Sequence, residues 1–187
     1  MNLRNIIELD KQYSTQLQIA EKPGLLRTIA IFFSHSGDSW FWAIALIALW
    51  FLGNPLTKKF ATIIFFGIGG LAVVVFAIKF FFKRKRPAGD WGSIYRTTDP
   101  HSFPSGHAAR AFMIAMIATL LLSSGWLVLL FWLWAPLVAF SRVTMGVHYL
   151  SDVIVGAILG ILVALFGLQI YQPLIDWFFT VTGFSFW

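Results

Sequence analysis

The chain has no cysteine, and only 12% of its 187 residues are charged. The first absence excludes a disulfide framework, a thiolate metal site and a thiol nucleophile, and leaves the redox compartment unread. The second, beside 58% hydrophobic residues, excludes the composition of a water-soluble domain and places a single domain, residues 1–187, in lipid. Charge is missing in blocks: none falls between Asp38 and Lys58, between Lys59 and Lys79, between Arg110 and Arg142, or between Asp152 and Asp176. Each block has room for a bilayer-crossing helix of about 20 residues.

What is present fits that setting. Several of the nine tryptophans (Trp40, Trp42, Trp126, Trp177) stand near the ends of the uncharged blocks, where an indole straddles hydrocarbon and headgroup. The formal charge of +6 does not indicate nucleic acid, because the basic residues are interleaved with membrane segments. Anionic lipid headgroups or phosphate are the expected partners. The first 22 residues mix charges with apolar positions, unlike a secretory signal. Leu3, Ile6, Ile7, Tyr13, Leu17 and Ala20 instead recur at helical spacing. This predicts an amphipathic helix, lying in the membrane interface or packed on the bundle.

After Pro23-Gly24 the apolar piece 25–33 is too short to span, and five spans follow at 39–53, 60–82, 105–123, 126–145 and 149–170, the last with room to extend past Pro173. Asn54-Pro55 and Ser123-Ser124-Gly125 read as tight turns, and 83–104 as the one long loop, marked by Pro87, Gly89, Gly92 and Pro100. The expected fold is all-α: a membrane bundle of five to six transmembrane helices with an N-terminal amphipathic interfacial helix. Gly156, Gly160 and Ala164 at four-residue steps, and Ala111 with Ala115, are expected to let helices of the same chain approach closely. Counting crossings brings the end of the second span, the long loop, the start of the third, the end of the fourth and the start of the fifth to one membrane face.

Three polar clusters share that face. Lys79 and Arg86 are seven residues apart, so two helical turns would return them to one side, aimed at a common anion. Lys79 lies inside an apolar run, where a cation is costly and usually functional, while Lys83, Arg84 and Lys85 read as a basic membrane flank. Pro104-Ser105-Gly106-His107 opens the third span: Ser105 is a good N-cap, Gly106 permits close backbone approach, and His107 exchanges protons near neutral pH. Ser141-Arg142 and His148, with Asp152 four residues later, form the third cluster. On a helix Asp152 would share a face with His148 and accept a proton from one ring nitrogen, which favours nucleophilic attack by the other.

Together these resemble the three motifs of the type 2 phosphatidic acid phosphatase superfamily, Lys-x6-Arg-Pro, Pro-Ser-Gly-His and Ser-Arg-x5-His-x3-Asp, matched in order over residues 79 to 152. The resemblance implies a membrane lipid phosphatase in which His148 attacks phosphorus, oriented by Asp152, and forms a phosphohistidine. His107 would protonate the leaving group and later assist water. Lys79, Arg86, Arg142, Ser105 and the Gly106 backbone would hold the phosphoryl oxygens. No cofactor is expected, and no carboxylate cluster suited to a metal is visible in the sequence. Vanadate-dependent haloperoxidases share the pocket, and a non-catalytic lipid-phosphate-binding or translocating bundle is the other alternative. The first is disfavoured by the nearly all-membrane chain, the second by the paired His148 and Asp152.

Phosphatidic acid, phosphatidylglycerol phosphate, a polyprenyl pyrophosphate and a lipid A phosphate all fit the class. The loop from Ala88 to Phe103, with Trp91, Tyr95, Arg96 and His101, borders the site and is a candidate selector of headgroup. Arg110 either reaches the phosphate or pairs with a loop acid, Asp90 or Asp99. Lys58 and Lys59 mark the opposite face as cytoplasmic, which places the site outside, and Lys83 to Lys85 argue the reverse; the resemblance to small bacterial lipid phosphatases implies an extracytoplasmic site in a prokaryotic plasma membrane. Oligomeric state is not legible.

Overall fold

A computed structural model describes residues 2–20, 22–89 and 97–183. Seven helices follow one another: α1 Leu3–Gln16, α2 Leu25–Ser36, α3 Ser39–Leu52, α4 Pro55–Phe82, α5 Gly106–Leu121, α6 Gly125–Thr144 and α7 Leu150–Thr182. The protein is all-helical among the described residues, where the only strand-like pairing is a single bridge between Lys85 and His101. Helices α4, α6 and α7 are long and apolar enough to cross a membrane, while α3 and α5 are shorter apolar helices.

Local chemistry sets the boundaries. Asn54 caps α4 by accepting from the Thr57 amide at 3.0 Å, with Pro55 in the first helical position, where its missing N–H costs nothing. The far end of α4 closes at Lys83, whose backbone is left-handed (φ 47°) and whose amide returns to the Lys79 carbonyl at 2.9 Å. That stop overturns one expectation. Arg86 lies beyond the helix, so it does not share a helix face with Lys79; the chain bends back after Lys83 and brings the two together by another route.

Helix α5 is the centre of the bundle, with Ala108, Ala109, Ala111, Met113, Ile114 and Ala115 wholly buried. Its 16 residues span about 24 Å, less than the hydrocarbon thickness. A helix surrounded by protein need not match the bilayer, and its polar N-terminus therefore lies recessed among the longer helices. The small-residue stripe of α7 faces it: a Cβ on Gly156 would stand 2.6 Å from the Ser105 carbonyl oxygen, and one on Gly160 would stand 2.0 Å from that of Ala109. On its other side Ala111 and Ala115 pack against Ala135 and Val138 of α6. The stripes thus serve intrachain packing.

Helix α1 is held by its polar side. Asp10 accepts from the Ser151 amide at 3.0 Å, and Ser14 accepts from the Leu150 amide at 2.8 Å, so α1 docks on the start of α7. Ile6, Ile7, Leu9 and Tyr13 remain exposed. Glu8 and Lys11 are exposed beside them, and an apolar strip next to a charged one suits a helix lying in lipid headgroups, on the same face as the polar clusters.

Candidate active site

Five chain segments converge at that face: the end of α4 with the residues after it, residues 97–105, the start of α5, the end of α6, and the turn into α7. Gly146 (φ 67°) makes the last turn possible, since a left-handed backbone there lets the amides of Val147 and His148 both return to the Arg142 carbonyl, at 3.1 and 3.2 Å. The Ser105 amide donates to the Asp152 carbonyl at 3.0 Å, which ties the second polar cluster to the third through backbone alone.

The two cations of the first cluster do share an anion, and it is a carboxylate of the chain. Lys79 Nζ lies 2.5 Å and Arg86 Nη2 2.8 Å from Asp99 Oδ2. Lys79 also donates to the His101 carbonyl at 2.8 Å, and Arg86 to those of Asp99 at 2.7 Å and Val147 at 2.9 Å. Both cations are buried, whereas the Asp99 side chain is 32% exposed and so stands at the mouth.

Arg86 Nη1 also lies 3.1 Å from His148 Nε2. A guanidinium only donates, so Nε2 presents its lone pair and the ring proton belongs to Nδ1. Nδ1 is 3.4 Å from Asp152 Oδ2, in a pair 2% and 0% exposed. Burial first, then the charges of Arg86, Arg142 and Lys79, holds His148 well below its ordinary value of 6.5. It is therefore neutral at neutral pH, with a lone pair aimed among cations. His148 precedes α7, so the pairing arises from a turn followed by a helix start rather than from two positions on one helix face.

Asp152 is secured on both oxygens. Oδ2 accepts from the Tyr149 amide at 2.9 Å and Oδ1 from Arg84 Nη1 at 2.7 Å. Arg84 also reaches Asp10 at 2.6 Å and Ser151 at 2.7 Å, and stacks 4.0 Å over the Tyr149 ring. It is a clamp joining α1, α7 and the carboxylate beside His148, where the sequence suggested a plain basic flank. A basic run carries no facial information until the end of the preceding helix is known, so nothing in the sequence set Arg84 apart.

His107, in the first turn of α5, donates Nε2–H to Asp38 Oδ1 at 2.7 Å. Asp38 lies in the turn between α2 and α3 and was not anticipated. Burial would raise its carboxyl, but hydrogen bonds from His107 and His35 outweigh this and hold it well below the usual carboxylate range. Arg110 donates to the Gly37 carbonyl at 2.8 and 2.5 Å and to the Ser39 hydroxyl rather than pairing with Asp99, and it also faces the site cavity; Asp90 lies outside the described residues. Arg142, fully buried, donates to the Ser34 hydroxyl of α2. Ser105 is the N-cap of α5, its hydroxyl 3.5 Å from the Ala108 amide.

These side chains line one cavity of about 170 Å³. Lys79, Arg86, Gly106, His107, Arg142 and His148 face it, as do Asp99, Arg110 and Ser39, and its wall continues into Ile68, Leu71, Val75 and Phe76 of α4. Asp152 stands behind His148, and Ser105 beneath the helix start, outside the lining. His101 turns its ring edge-on to Phe80. Asp90, Trp91, Tyr95 and Arg96 lie outside the described residues.

An apolar wall that runs into a cation-lined cavity suits a phosphate carried on a lipid tail, and the class this defines is the membrane lipid phosphatase. The chain belongs to the PAP2 superfamily, which it matches over residues 60–176. It is 30% identical over 192 residues to a probable lipid phosphate phosphatase beta of Arabidopsis thaliana, covering 88% of this chain and 89% of that one. It is 33% identical over 147 residues to the undecaprenyl-diphosphatase BcrC of Bacillus subtilis, covering 72% of each. The crystal structure of Aquifex aeolicus LpxE superposes with a TM-score of 0.68 at 28% identity, covering 87% of this chain and 94% of that one.

Proposed function

We propose that the protein removes phosphate from a lipid phosphate monoester or diphosphate through a phosphohistidine on His148, without a metal, as one catalytic domain. The lone pair of His148 Nε2 attacks phosphorus as the bond to the leaving oxygen breaks. Asp152, whose Oδ2 lies 3.4 Å from Nδ1, offsets the positive charge that grows on the ring. Asp38 occupies Nε2 of His107, which leaves Nδ1 to give its proton to the departing alkoxide or phosphate. In the second step the same nitrogen takes a proton from water as the water oxygen attacks phosphorus. The P–N bond then breaks, inorganic phosphate leaves, and His107 is again protonated. Lys79, Arg86 and Arg142 neutralise the equatorial oxygens, and positioning with neutralisation is most of what phosphoryl transfer requires. The Gly106 backbone adds amide donors at a helix start, with Ser105 holding that start in place.

The observation that carries this reading is the setting of His148, its Nε2 lone pair facing Arg86 among the cations and its Nδ1 3.4 Å from the Asp152 carboxylate. The substrate class is supported by the cavity wall on α4, which offers an apolar surface next to the phosphate site, and by the names of the relatives, which include both a lipid phosphate phosphatase and a lipid diphosphatase. Lys58 and Lys59 at the opposite end of α4 support an extracytoplasmic site in a prokaryotic plasma membrane. Single cysteines introduced at Asn2 and at Lys59 would be labelled from opposite sides of intact cells.

The test is phosphate release from detergent-solubilised protein over a panel of lipid monophosphates and diphosphates in EDTA. Activity is expected to persist in chelator, to transfer labelled phosphate to the protein after an acid-free quench, and to lose both label and turnover in His148→Ala. A strict requirement for a divalent cation, or full turnover by that variant, would overturn the mechanism.

A further inference from the structure

We infer that Asp38 is a positioning residue for His107, holding the acid of the reaction through the turn between α2 and α3. This rests on the acid role given to His107 above. The turn lies outside the stretch that matches the superfamily, residues 60–176, in the polar run from Ser34 to Ser39, which none of the three motifs includes.

The turn is built against the site. Arg110, one helical turn after His107 on α5, grips it on both sides of Asp38, through the Gly37 carbonyl and the Ser39 hydroxyl. Gly37 fits because it lacks a side chain: a Cβ there would lie 2.8 Å from Val138 Cγ1 and 3.3 Å from His107 Cδ2. Trp42 adds a hydrogen bond from its indole to the Ser36 carbonyl at 3.0 Å. With the backbone so fixed, Asp38 Oδ1 meets His107 Nε2 at 2.7 Å, and Oδ2 takes hydrogen bonds from His35 Nδ1 at 2.9 Å and Trp40 Nε1 at 3.2 Å. Among the described residues no backbone amide or guanidinium donates to this carboxylate, whereas Asp152 divides itself among Arg84, the Tyr149 amide and His148.

Two consequences follow for the acid. The hydrogen bond fixes the ring so that Nδ1 is the nitrogen presented to substrate, as a carboxylate does for a metal-bound or nucleophilic imidazole. The carboxylate also lies beside an imidazole that Arg110 and Arg142 face from α5 and α6, and its charge favours the imidazolium that must donate. Without Asp38 the ring would be free to turn and would stand among cations alone.

Leaving-group dependence distinguishes this role from a structural one. Expulsion of an alkoxide needs a proton, and expulsion of 4-nitrophenolate scarcely does. Asp38→Asn is expected to slow the first turnover, in which the phosphoenzyme forms, about 10- to 100-fold on an alkyl phosphate monoester in mixed micelles, the cost typical of removing an orienting carboxylate. On 4-nitrophenyl phosphate the first-turnover burst of 4-nitrophenol should slow by no more than about threefold, which also shows that the variant is folded; steady-state turnover falls with either substrate, because hydrolysis of the phosphoenzyme uses His107 as base. Asp38→Glu should recover part of the alkyl rate. His107→Ala should show the same selectivity in the first turnover, and Asp38→Asn should add almost nothing in that background. Equal first-turnover losses on both substrates would assign Asp38 to folding and overturn the inference, as would an unchanged alkyl first turnover in Asp38→Asn while His107→Ala fails. A full alkyl first-turnover rate in His107→Ala would instead overturn the acid role itself.

Discussion

Replacing Gly160 by alanine adds one methyl group at a place where the bundle has no space for it. The new carbon would stand 2.0 Å from the Ala109 carbonyl oxygen and 2.8 Å from its carbon. Close carbon–oxygen approach in proteins ends near about 3.3 Å, so α5 and α7 must separate by about 1.3 Å. The obstacle is backbone, which cannot rotate away. Overpacking of this kind costs about 1–3 kcal/mol, against which alanine's better helix propensity returns at most about 1 kcal/mol. The damage also reaches the site, because α5 carries His107 and α7 carries Asp152, and a misplacement of about 1 Å can cost about 100-fold in rate. Gly156→Ala, whose carbon would stand 2.6 Å from the Ser105 oxygen, asks for a smaller separation nearer the chemistry. Gly69→Ala, with nothing within 4 Å, is the control. Unfolding in mixed micelles of rising SDS fraction, with phosphate release at saturating substrate, should rank Gly69→Ala as unchanged, Gly156→Ala as impaired and Gly160→Ala as least stable. If Gly160→Ala unfolds with the control, the close α5–α7 approach is not what holds the site together.

Asp99→Asn removes the carboxylate that Lys79 and Arg86 hold at the mouth, so an incoming phosphate no longer competes with it. Inhibition by inorganic phosphate should tighten about tenfold, the worth of one charge-assisted hydrogen bond, and weaker inhibition would show that Asp99 shapes the site for the anion instead of competing with it. His148, held below 6.5 by burial and neighbouring cations, should still be neutral at pH 6.0 by imidazole NMR in detergent, where a free imidazole is about three-quarters protonated. Because the unfolded chain takes up that proton and the folded one refuses it, the stability tied to this group is present above pH 6.5 and is lost as pH falls. A signal titrating at the ordinary value would refute the buried, cation-flanked setting.

The spans, the face they share and the residues lining the cavity were legible because each has a local signature. A block without charge reads as a crossing, Ser105-Gly106-His107 reads as a helix start, and a cation such as Lys79 inside an apolar run stands out. What was not legible depends on where backbone stops and turns. Lys83 ends α4 in a left-handed conformation, which has no fixed residue signature outside glycine, so the helical phase from Lys79 to Arg86 was misjudged and Arg84 was taken for a flank. Asp38 meets a histidine 69 residues away, and neither its spacing nor its neighbours signal the pairing. Arg110 likewise finds its partners in that remote turn rather than in the loop beside it.

In the proposed mechanism, four cations in one small cavity set a problem that two histidines must solve in opposite ways. Positive charge beside an imidazole favours its neutral form, which suits a nucleophile and hinders an acid. The structure answers with carboxylates of unequal commitment. Asp152 is fully buried, spends one oxygen on Arg84 and part of the other on the Tyr149 amide, and stands 3.4 Å from His148. It can orient that ring without drawing a proton onto Nε2. Asp38 stands 2.7 Å from His107, and its other recorded partners are an imidazole and an indole N–H. It keeps more of its charge for the ring it faces. Exchanging these environments would work against both roles: an Asp152 freed of Arg84 would draw His148 toward the protonated form, against burial and the charges of Arg86, Arg142 and Lys79, and an Asp38 paired with a guanidinium would favour the imidazolium of His107 less.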